Sequence, residues 1–339
     1  MLSWSPSRRA LVGVLAVVLL VGVAGVALAG RRGTEAQARE TAERYLRVLA
    51  DESADPSELD ELLAPTDADE WALAGALLAE ASSRISDVTL GDSREVSTAR
   101  STVPSDLVFD GFEEFEVRYH LAGEHHRATI TLGRSRGGSG GEASRWLVVT
   151  PLAGSVDWNG ATWLSTPLDV TVGDVPVTVP GRTTYEPAGL RLHPAVYPAR
   201  GGIAPWFASP PEQVVVVAGS AVSPAPALRP AATEEGLAAL TQAALAAFDR
   251  CEDGTAYCPI ADLVYPAGDD RLPEGWWHGF TTTPTVTVDG TTVRLADGAF
   301  RYLSPSGPRT VRFTGSTQVT IDPDRRPAVA DRWRIERQP

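Results

Sequence analysis

The stretch Ala10–Gly30, ALVGVLAVVLLVGVAGVALAG, constrains this chain most, because it contains no charged and no strongly polar side chain. A helix of this length spans about 30 Å, which matches the hydrocarbon core of a bilayer. Arginine pairs flank it, Arg8-Arg9 before and Arg31-Arg32 after. We therefore predict a transmembrane helix over residues 10–30, preceded by a tail of residues 1–9.

Cleavage is the alternative to a retained anchor. Ala27-Leu28-Ala29 fits the small-residue pattern of a signal-peptide cleavage site, so the mature protein would then be secreted after a cut near Ala29. The apolar run is longer than the usual core of a signal peptide, which favours the anchor. In an anchor, Gly25 and Ala29 form a small-xxx-small pair at which two helices could pack as a dimer.

The large C-terminal part is predicted to lie outside the cytoplasm. The arginines on the two sides of the span are balanced, so charge alone does not set its orientation. The tail before the span is short, and Cys251 and Cys258 lie close together in the C-terminal part, as in proteins of oxidising compartments. We predict a structural disulfide between them, with two free thiols as the alternative, because no nearby histidine or second cysteine pair completes a metal site.

Composition excludes several classes of activity. The net charge of −13 argues against nucleic acid and against anionic lipid surfaces as partners. The sequence contains no lysine, which excludes Walker-type phosphate loops, Schiff-base and pyridoxal phosphate enzymes and Ser–Lys dyads. We nominate no catalytic residue, no metal ligand and no cofactor-binding residue.

Residues 34–150 change from a helical to a strand-like hydrophobic period. We predict helices over residues 34–50, from Pro56 and over residues 67–83, with Thr34 as the first N-cap. Alternation then predicts antiparallel strands, the clearest being Phe115–Leu121. Helices followed by a meander predict an α+β domain.

The rest of the chain is predicted to form a small β domain, a linker and a second helix-plus-sheet domain. Residues 151–222 are rich in proline and valine, which excludes long helices, and residues 223–232 form a Pro/Ala linker. Residues 233–339 repeat the order of the first domain, with a helix from Thr233 followed by strands. We interpret this order as a diverged duplication.

The histidine cluster of the chain contains His120, His125 and His126. If Ala122-Gly123 is a tight turn, His120 lies opposite His125 in a hairpin. Two facing imidazoles could bind Zn²⁺ or respond to pH, whereas the alternative is a solvated polar face. The same register places Arg118 opposite Arg127, which is unfavourable.

The pattern resembles a known group of actinobacterial single-pass membrane proteins. The resemblance lies in the helix Thr34–Asp51, the closing strand Arg145–Val149, the stretch Phe248–Pro259 and the closing stretch Ala330–Ile335. Members of that group carry one or two NTF2-like (cystatin-like) extracytoplasmic domains. The layout is also similar to the extracytoplasmic part of the teicoplanin-resistance-associated membrane protein family. The resemblance implies two NTF2-like domains that flank the small β domain.

Three functions are open at this point. The first is a non-enzymatic interaction or scaffold protein of the cell envelope, which binds a partner protein or a cell-wall component. The second is a small-molecule binding or sensing protein that uses a pocket between helices and sheet, with Tyr45, Trp71, Phe115 and Tyr119 as candidate lining. The third is a hydrolase. An NTF2-like fold does not decide among them.

Overall fold

The computed structural model describes most of the chain beyond the predicted span. The described residues are 33–64, 68–97, 108–136, 144–158, 161–177, 189–219, 222–224, 226–253, 258–264, 277–304 and 306–339. The predicted span, the cleavage site near Ala29 and the Gly25–Ala29 pair lie outside them. Within the described part of the chain, every helix is too short or too polar to cross a membrane.

The described residues form helices and mostly antiparallel sheets, so the predicted α+β class is confirmed. Helix α1 covers residues 33–50, so Thr34 lies inside the helix and is not its N-cap. The other helices are α2 (Glu58–Leu62), α3 (Ala68–Ala79), α4 (Glu234–Asp253) and α5 (Ala261–Val264). Helix α3 ends earlier than predicted because Ser83 and Arg84 form a short strand.

The strands follow in chain order. In the first half of the chain they are β1 (Ser83–Arg84), β2 (Ser86–Val96), β3 (Phe109–Leu121), β4 (Glu124–Ser135), β5 (Trp146–Thr150), β6 (Gly154–Asp157), β7 (Thr162–Trp163), β8 (Thr166–Pro167), β9 (Asp169–Val172) and β10 (Val175–Val177). In the second half they are β11 (Gly189–Leu192), β12 (Ala195–Ile203), β13 (Phe207–Ala208), β14 (Glu212–Val216), β15 (Ser223–Pro224), β16 (Ala231–Ala232), β17 (Trp277–Thr282), β18 (Thr285–Asp289), β19 (Thr292–Ser304), β20 (Gly307–Ile321), β21 (Pro327–Val329) and β22 (Arg334–Arg337).

The chain divides into two compact units. Among the described residues, the first unit, unit 1, contains those within 33–157, 189–197 and 214–223, and the second, unit 2, contains those within 158–177, 198–213 and 224–339. Residues 151–222, which we predicted as a small β domain, are therefore shared between the units. The predicted linker, residues 223–232, contains the short strands β15 and β16.

Unit 1 is built around α1 and the four-stranded meander β2-β3-β4-β5. The helix buries one face at the predicted spacing, through Ala38, Ala42, Tyr45, Leu46 and Leu49. Alternate residues of β3 are buried on the inner face of the sheet, namely Phe115, Val117, Tyr119 and Leu121. The guanidinium of Arg39 on α1 lies 5.6 Å from the centre of the Phe115 ring, so the helix packs on this sheet.

Unit 2 repeats this arrangement with α4 and a second antiparallel meander. Thr233 is the N-cap of α4, since its hydroxyl accepts a hydrogen bond from the Gly236 N–H at 3.0 Å. Strands β17 and β18 both pair with β19, β19 pairs with β20, and β20 pairs with β21 and β22. The order is that of β2-β3-β4-β5, with the first and last strands each divided in two.

Candidate functional site

The best candidate site is a cleft of about 570 Å³ that lies within unit 1. Its described lining comes from α3, β4, the end of β5 and the segment between β5 and β6, β11 and the segment after β14. It consists of Trp71, Arg127, Ala128, Thr129, Thr150, Pro151, Leu152, Ala153, Arg191, Ala218 and Gly219. A volume of this size matches ligand pockets, and the lining mixes apolar surface with hydroxyl and guanidinium groups.

The cleft forms where strand β5 leaves the sheet. The ladder between β4 and β5 ends at the pair Thr131–Thr150. Pro151 follows directly, and proline has no N–H with which to continue the ladder. The earlier residues of β4 therefore pair only with β3 among the described strands, and the departing chain forms a wall opposite their free edge.

The cleft follows the edge of β4 and not one face of the sheet. Arg127, Ala128 and Thr129 are consecutive, and all three line it. Side chains of consecutive strand residues point to opposite faces, so a cleft that all three reach must lie along the strand edge. The opposite wall, residues 150–153, is also a run of consecutive residues. The cleft is thus a slot between an edge strand and a facing segment.

Buried polar groups hold the wall at Leu152 in place. The Leu152 N–H donates a hydrogen bond to the Tyr45 hydroxyl at 3.0 Å, and Nδ1 of His193 lies 3.2 Å from the Leu152 carbonyl oxygen. Because a carbonyl only accepts, Nδ1 of His193 carries the proton. Burial also raises the pKa of the Tyr45 hydroxyl, so this group stays protonated.

His193 lies behind the cleft, under Trp71. It is fully buried, and the Trp71 ring lies 5.2 Å from its imidazole, centre to centre. Its Nε2 has no hydrogen-bond partner among the described residues. Burial lowers the pKa of His193 to about 4, so the imidazole is neutral near pH 7.

The wall at Ala218 and Gly219 is fixed from behind by a second tyrosine. The Ala218 N–H donates to the Tyr119 hydroxyl at 3.0 Å, and the Gly219 N–H donates to the Ala153 carbonyl at 3.0 Å. A Cβ atom on Gly154 would lie 2.4 Å from the Val217 carbonyl oxygen, so this close approach requires glycine. The walls are therefore held by main-chain contacts.

The charge of the cleft is positive. Arg127 forms an ion pair with Glu116, which also binds Arg118 at 2.7 Å. The hydrogen bond from Arg118 is the main cause that lowers the pKa of Glu116 below its ordinary value. Arg191 is exposed and forms no ion pair with a described residue. No described lining residue is acidic, although the chain as a whole carries a net charge of −13.

A second cleft in unit 1, of about 390 Å³, has its charges satisfied. It is lined by Thr34, Glu95, Asp110, Gly111, Phe112, Glu113, Arg134 and Trp146. Arg134 donates to Asp110 at 2.6 Å, and this hydrogen bond lowers the pKa of Asp110. Glu95 and Glu113 also have partners. We therefore regard the positive cleft as the better candidate for binding a ligand.

The four residues predicted to line a pocket separate into three groups. Trp71 lines the cleft directly. Tyr45 and Tyr119 are buried behind it and hold its walls. Phe115 is fully buried in the sheet core. Sequence reasoning missed Arg191 and His193, which come from a distant part of the chain.

The predicted histidine hairpin is confirmed in its register. Ala122 and Gly123 have φ angles of 52° and 86° and form the turn, and His120 pairs with His125. Their ring centres are 5.1 Å apart. The described residues contain no group of three potential metal-ligating side chains. The predicted contact of Arg118 with Arg127 also occurs, and Glu116 lies between the two positive charges.

The predicted disulfide stays a prediction. Cys258 is buried, with 1% of its surface exposed. Cys251 lies in the last turn of α4, but its side chain is outside the described residues.

Comparison of the chain with protein-family models, curated proteins and solved structures found no match.

Proposed function

We propose that this chain is a non-enzymatic, membrane-anchored extracytoplasmic binding protein of the cell envelope, and that unit 1 holds its ligand in the positive cleft. The cleft itself is the observation that carries this proposal. It places apolar surface from the partly exposed residues Ala128, Pro151 and Ala153 beside the guanidinium of Arg191 and the hydroxyls of Thr129 and Thr150. Few convergent polar groups on a mostly apolar lining are typical of ligand pockets.

Binding is a better interpretation than hydrolysis. The hydroxyls among the described lining residues belong to Thr129 and Thr150, and none of these lining residues is a carboxylate or a histidine. A nucleophilic hydroxyl needs an adjacent general base. The imidazole of His193 lies behind Trp71 and Leu152, and its Nδ1 faces a main-chain carbonyl.

The location follows from the predicted span. Residues 10–30 would anchor the chain, and the Cys251–Cys258 pair would lie on the oxidising side of the membrane. If the segment is cleaved near Ala29, the same units are secreted. In both cases we propose that the cleft is exposed outside the cytoplasm.

We further propose that both units are NTF2-like. The support is their shared order, in which one long helix precedes an antiparallel meander of the same connectivity. In each unit a phenylalanine lies between the helix and the sheet. It is Phe115 under Arg39 in unit 1, and Phe248 on α4 in unit 2. Folds of this kind also host enzymes, so the proposal about function depends on the cleft alone.

Native mass spectrometry of the full chain, extracted in detergent from its native membrane, tests the binding function. We expect an added mass that dissociates at higher collision energy. Thr129→Trp fills the cleft and is expected to abolish the added mass. Thr287→Trp is the matched control, because Thr287 is also an exposed threonine on a strand but lies in unit 2.

Two outcomes contradict the binding function. The first is a wild-type chain that carries no added mass under conditions that preserve other weak complexes. The second is an added mass that persists unchanged in Thr129→Trp, since this ligand would be bound outside the cleft.

A further inference from the structure

We infer that the cleft binds the C-terminal end of an extended peptide, which adds as a strand to the free edge of β4 while Arg191 binds its terminal carboxylate. The inference rests on the proposed binding function and names the class of ligand. Three features of the cleft support it: a free strand edge, an unpaired guanidinium and adjacent apolar surface.

The free edge offers main-chain hydrogen bonds. In an antiparallel edge strand, every second residue directs both its N–H and its C=O away from the paired neighbour. Arg127, Ala128 and Thr129 pair with β3 on one side, and no described strand pairs with them on the other. At least one of these three residues must therefore present its N–H and C=O to the cleft. An extended peptide can pair with such groups, as in strand addition to a sheet edge.

The positive charge of the cleft favours the C-terminal end of a peptide, which carries a free carboxylate. Arg191 has no carboxylate partner among the described residues, and its guanidinium can bind a carboxylate through two parallel hydrogen bonds. Arg127 is less available because Glu116 is bound to it. A free α-carboxylate supplies the negative charge that the described lining lacks.

The shape of the cleft fits an extended chain. Consecutive residues line both walls, so the slot runs parallel to β4. Successive side chains of an added strand point to opposite sides. The lining of the slot includes the partly exposed apolar residues Ala128, Pro151 and Ala153, and we expect a preference for an apolar residue near the carboxylate.

Fluorescence anisotropy with the full chain in detergent tests this inference. Three pools of fluorescein-labelled random pentapeptides serve as probes: one with a free carboxylate, one with a C-terminal amide, and one with a free carboxylate and N-methylated peptide bonds. We expect the free-carboxylate pool to bind at least about tenfold more tightly than either other pool, because each of these lacks one of the two interactions.

Two arginine variants test whether Arg191 binds the terminal carboxylate of the peptide. Arg191→Gln should lower the affinity for the free-carboxylate pool to that of the amide pool. Arg200→Gln is the matched control, since Arg200 is also an exposed arginine on a strand but belongs to unit 2, and it should leave the affinity unchanged.

Failure of this inference can be separated from failure of the binding function. Equal affinity for the carboxylate and amide pools, or equal effects of the two arginine substitutions, overturns the peptide inference. So does the absence of peptide binding. If the added mass in native spectrometry still disappears in Thr129→Trp, the cleft binds a ligand of another class; if it does not, the binding function itself has failed.

Discussion

The interiors of the two units are built on the same plan and filled in different ways. In unit 1, the space behind the sheet contains polar side chains, because Tyr45 binds the Leu152 amide and His193 faces the Leu152 carbonyl. In unit 2, the corresponding space is filled by aromatic rings. The Phe248 ring lies 5.2 Å from Phe280 and 5.5 Å from Trp333, centre to centre.

This difference is consistent with our proposal that the ligand is held by unit 1 and not by unit 2. Buried polar groups need partners, so they fix the main chain around them at defined positions and can hold the walls of a cleft. Rings in contact give dense apolar packing, although unit 2 also contains the buried Thr317, whose hydroxyl lies 2.8 Å from the Arg332 carbonyl oxygen. The cleft that we propose as a binding site lies in unit 1, whereas the aromatic cluster of unit 2 contributes stability.

The unpaired strand edges of the two units also differ, as a comparison of β4 with β20 shows. Both β4 and β20 have a part near the hairpin turn that pairs on one side only among the described strands. In β20 this part contains Pro308, which cannot donate a hydrogen bond and so blunts the edge. The free part of β4 contains no proline and faces the segment 150–153.

The largest effect is expected from the aromatic cluster of unit 2. Phe248→Ala should lower the free energy of unfolding of unit 2 by about 3–5 kcal/mol, because it removes a fully buried ring and leaves a cavity. Hydrogen exchange of the most protected amides of α4 measures this change. Leu237→Ala on the exposed side of the same helix is the control and should have little effect. A loss below about 1 kcal/mol in Phe248→Ala would show that the cluster is not the core of unit 2.

The second prediction is that the stability of unit 1 depends on pH through His193. The pKa of His193 in the folded chain, about 4, is below its ordinary value of 6.5. Between these values the unfolded chain binds a proton that the folded chain does not, so stability is full above pH 6.5 and falls toward pH 4. Unit 1 should lose about 3 kcal/mol across this window, while the phenylalanine and tryptophan rings of unit 2 do not titrate.

Hydrogen exchange at pH 7 and pH 4.5 tests this dependence. His193→Gln removes the titrating group and should flatten the response of unit 1. His125→Gln, at an exposed histidine of the same unit, should retain it. An unchanged pH response in His193→Gln would assign the effect to other groups.

A smaller effect is expected from the tyrosine hydroxyl behind the cleft. Tyr45→Phe leaves the buried Leu152 N–H without its partner and should cost about 1–3 kcal/mol. Tyr302→Phe is the matched control in unit 2, because the Tyr302 hydroxyl has no hydrogen bond to a described residue. Thermal unfolding of both variants gives the comparison, and equal losses would mean that the Leu152 contact does not stabilise unit 1.

The smallest effect is expected at the surface of unit 1. Glu116→Gln removes the negative charge between Arg118 and Arg127, so the two arginines repel each other across the hairpin. The melting temperature should fall slightly in low salt and recover in high salt, because salt screens exposed charges. A fall that is independent of salt would contradict this explanation.

Local sequence patterns predicted the elements, since they depend on neighbours in the chain. The periodicity of α1, the alternation in β3 and the turn at Ala122-Gly123 all occur in the structure. Strand β14 shows the limit of this reasoning. Its valines look uniformly apolar, but Val214 and Val216 are buried while Val215 is 39% exposed.

The cleft could not be predicted because its residues are distant in sequence. Trp71, Thr129, Arg191 and Gly219 meet through pairings that no local pattern encodes. The available signal was Pro151 after a buried strand, which indicates that the chain leaves the sheet at that point. Nothing near Arg191 distinguishes it from the other arginines of the chain.

Hydrogen exchange of the full chain, with and without the free-carboxylate pentapeptide pool, shows whether a peptide binds along the edge of β4. Strand addition should slow amide exchange in residues 127–129 of β4 and should leave residues 307–311 of β20 unchanged. This result would place the ligand in the cleft of unit 1. Slower exchange at β20, or no change at β4 under saturating peptide, would show that the peptide does not bind in this cleft.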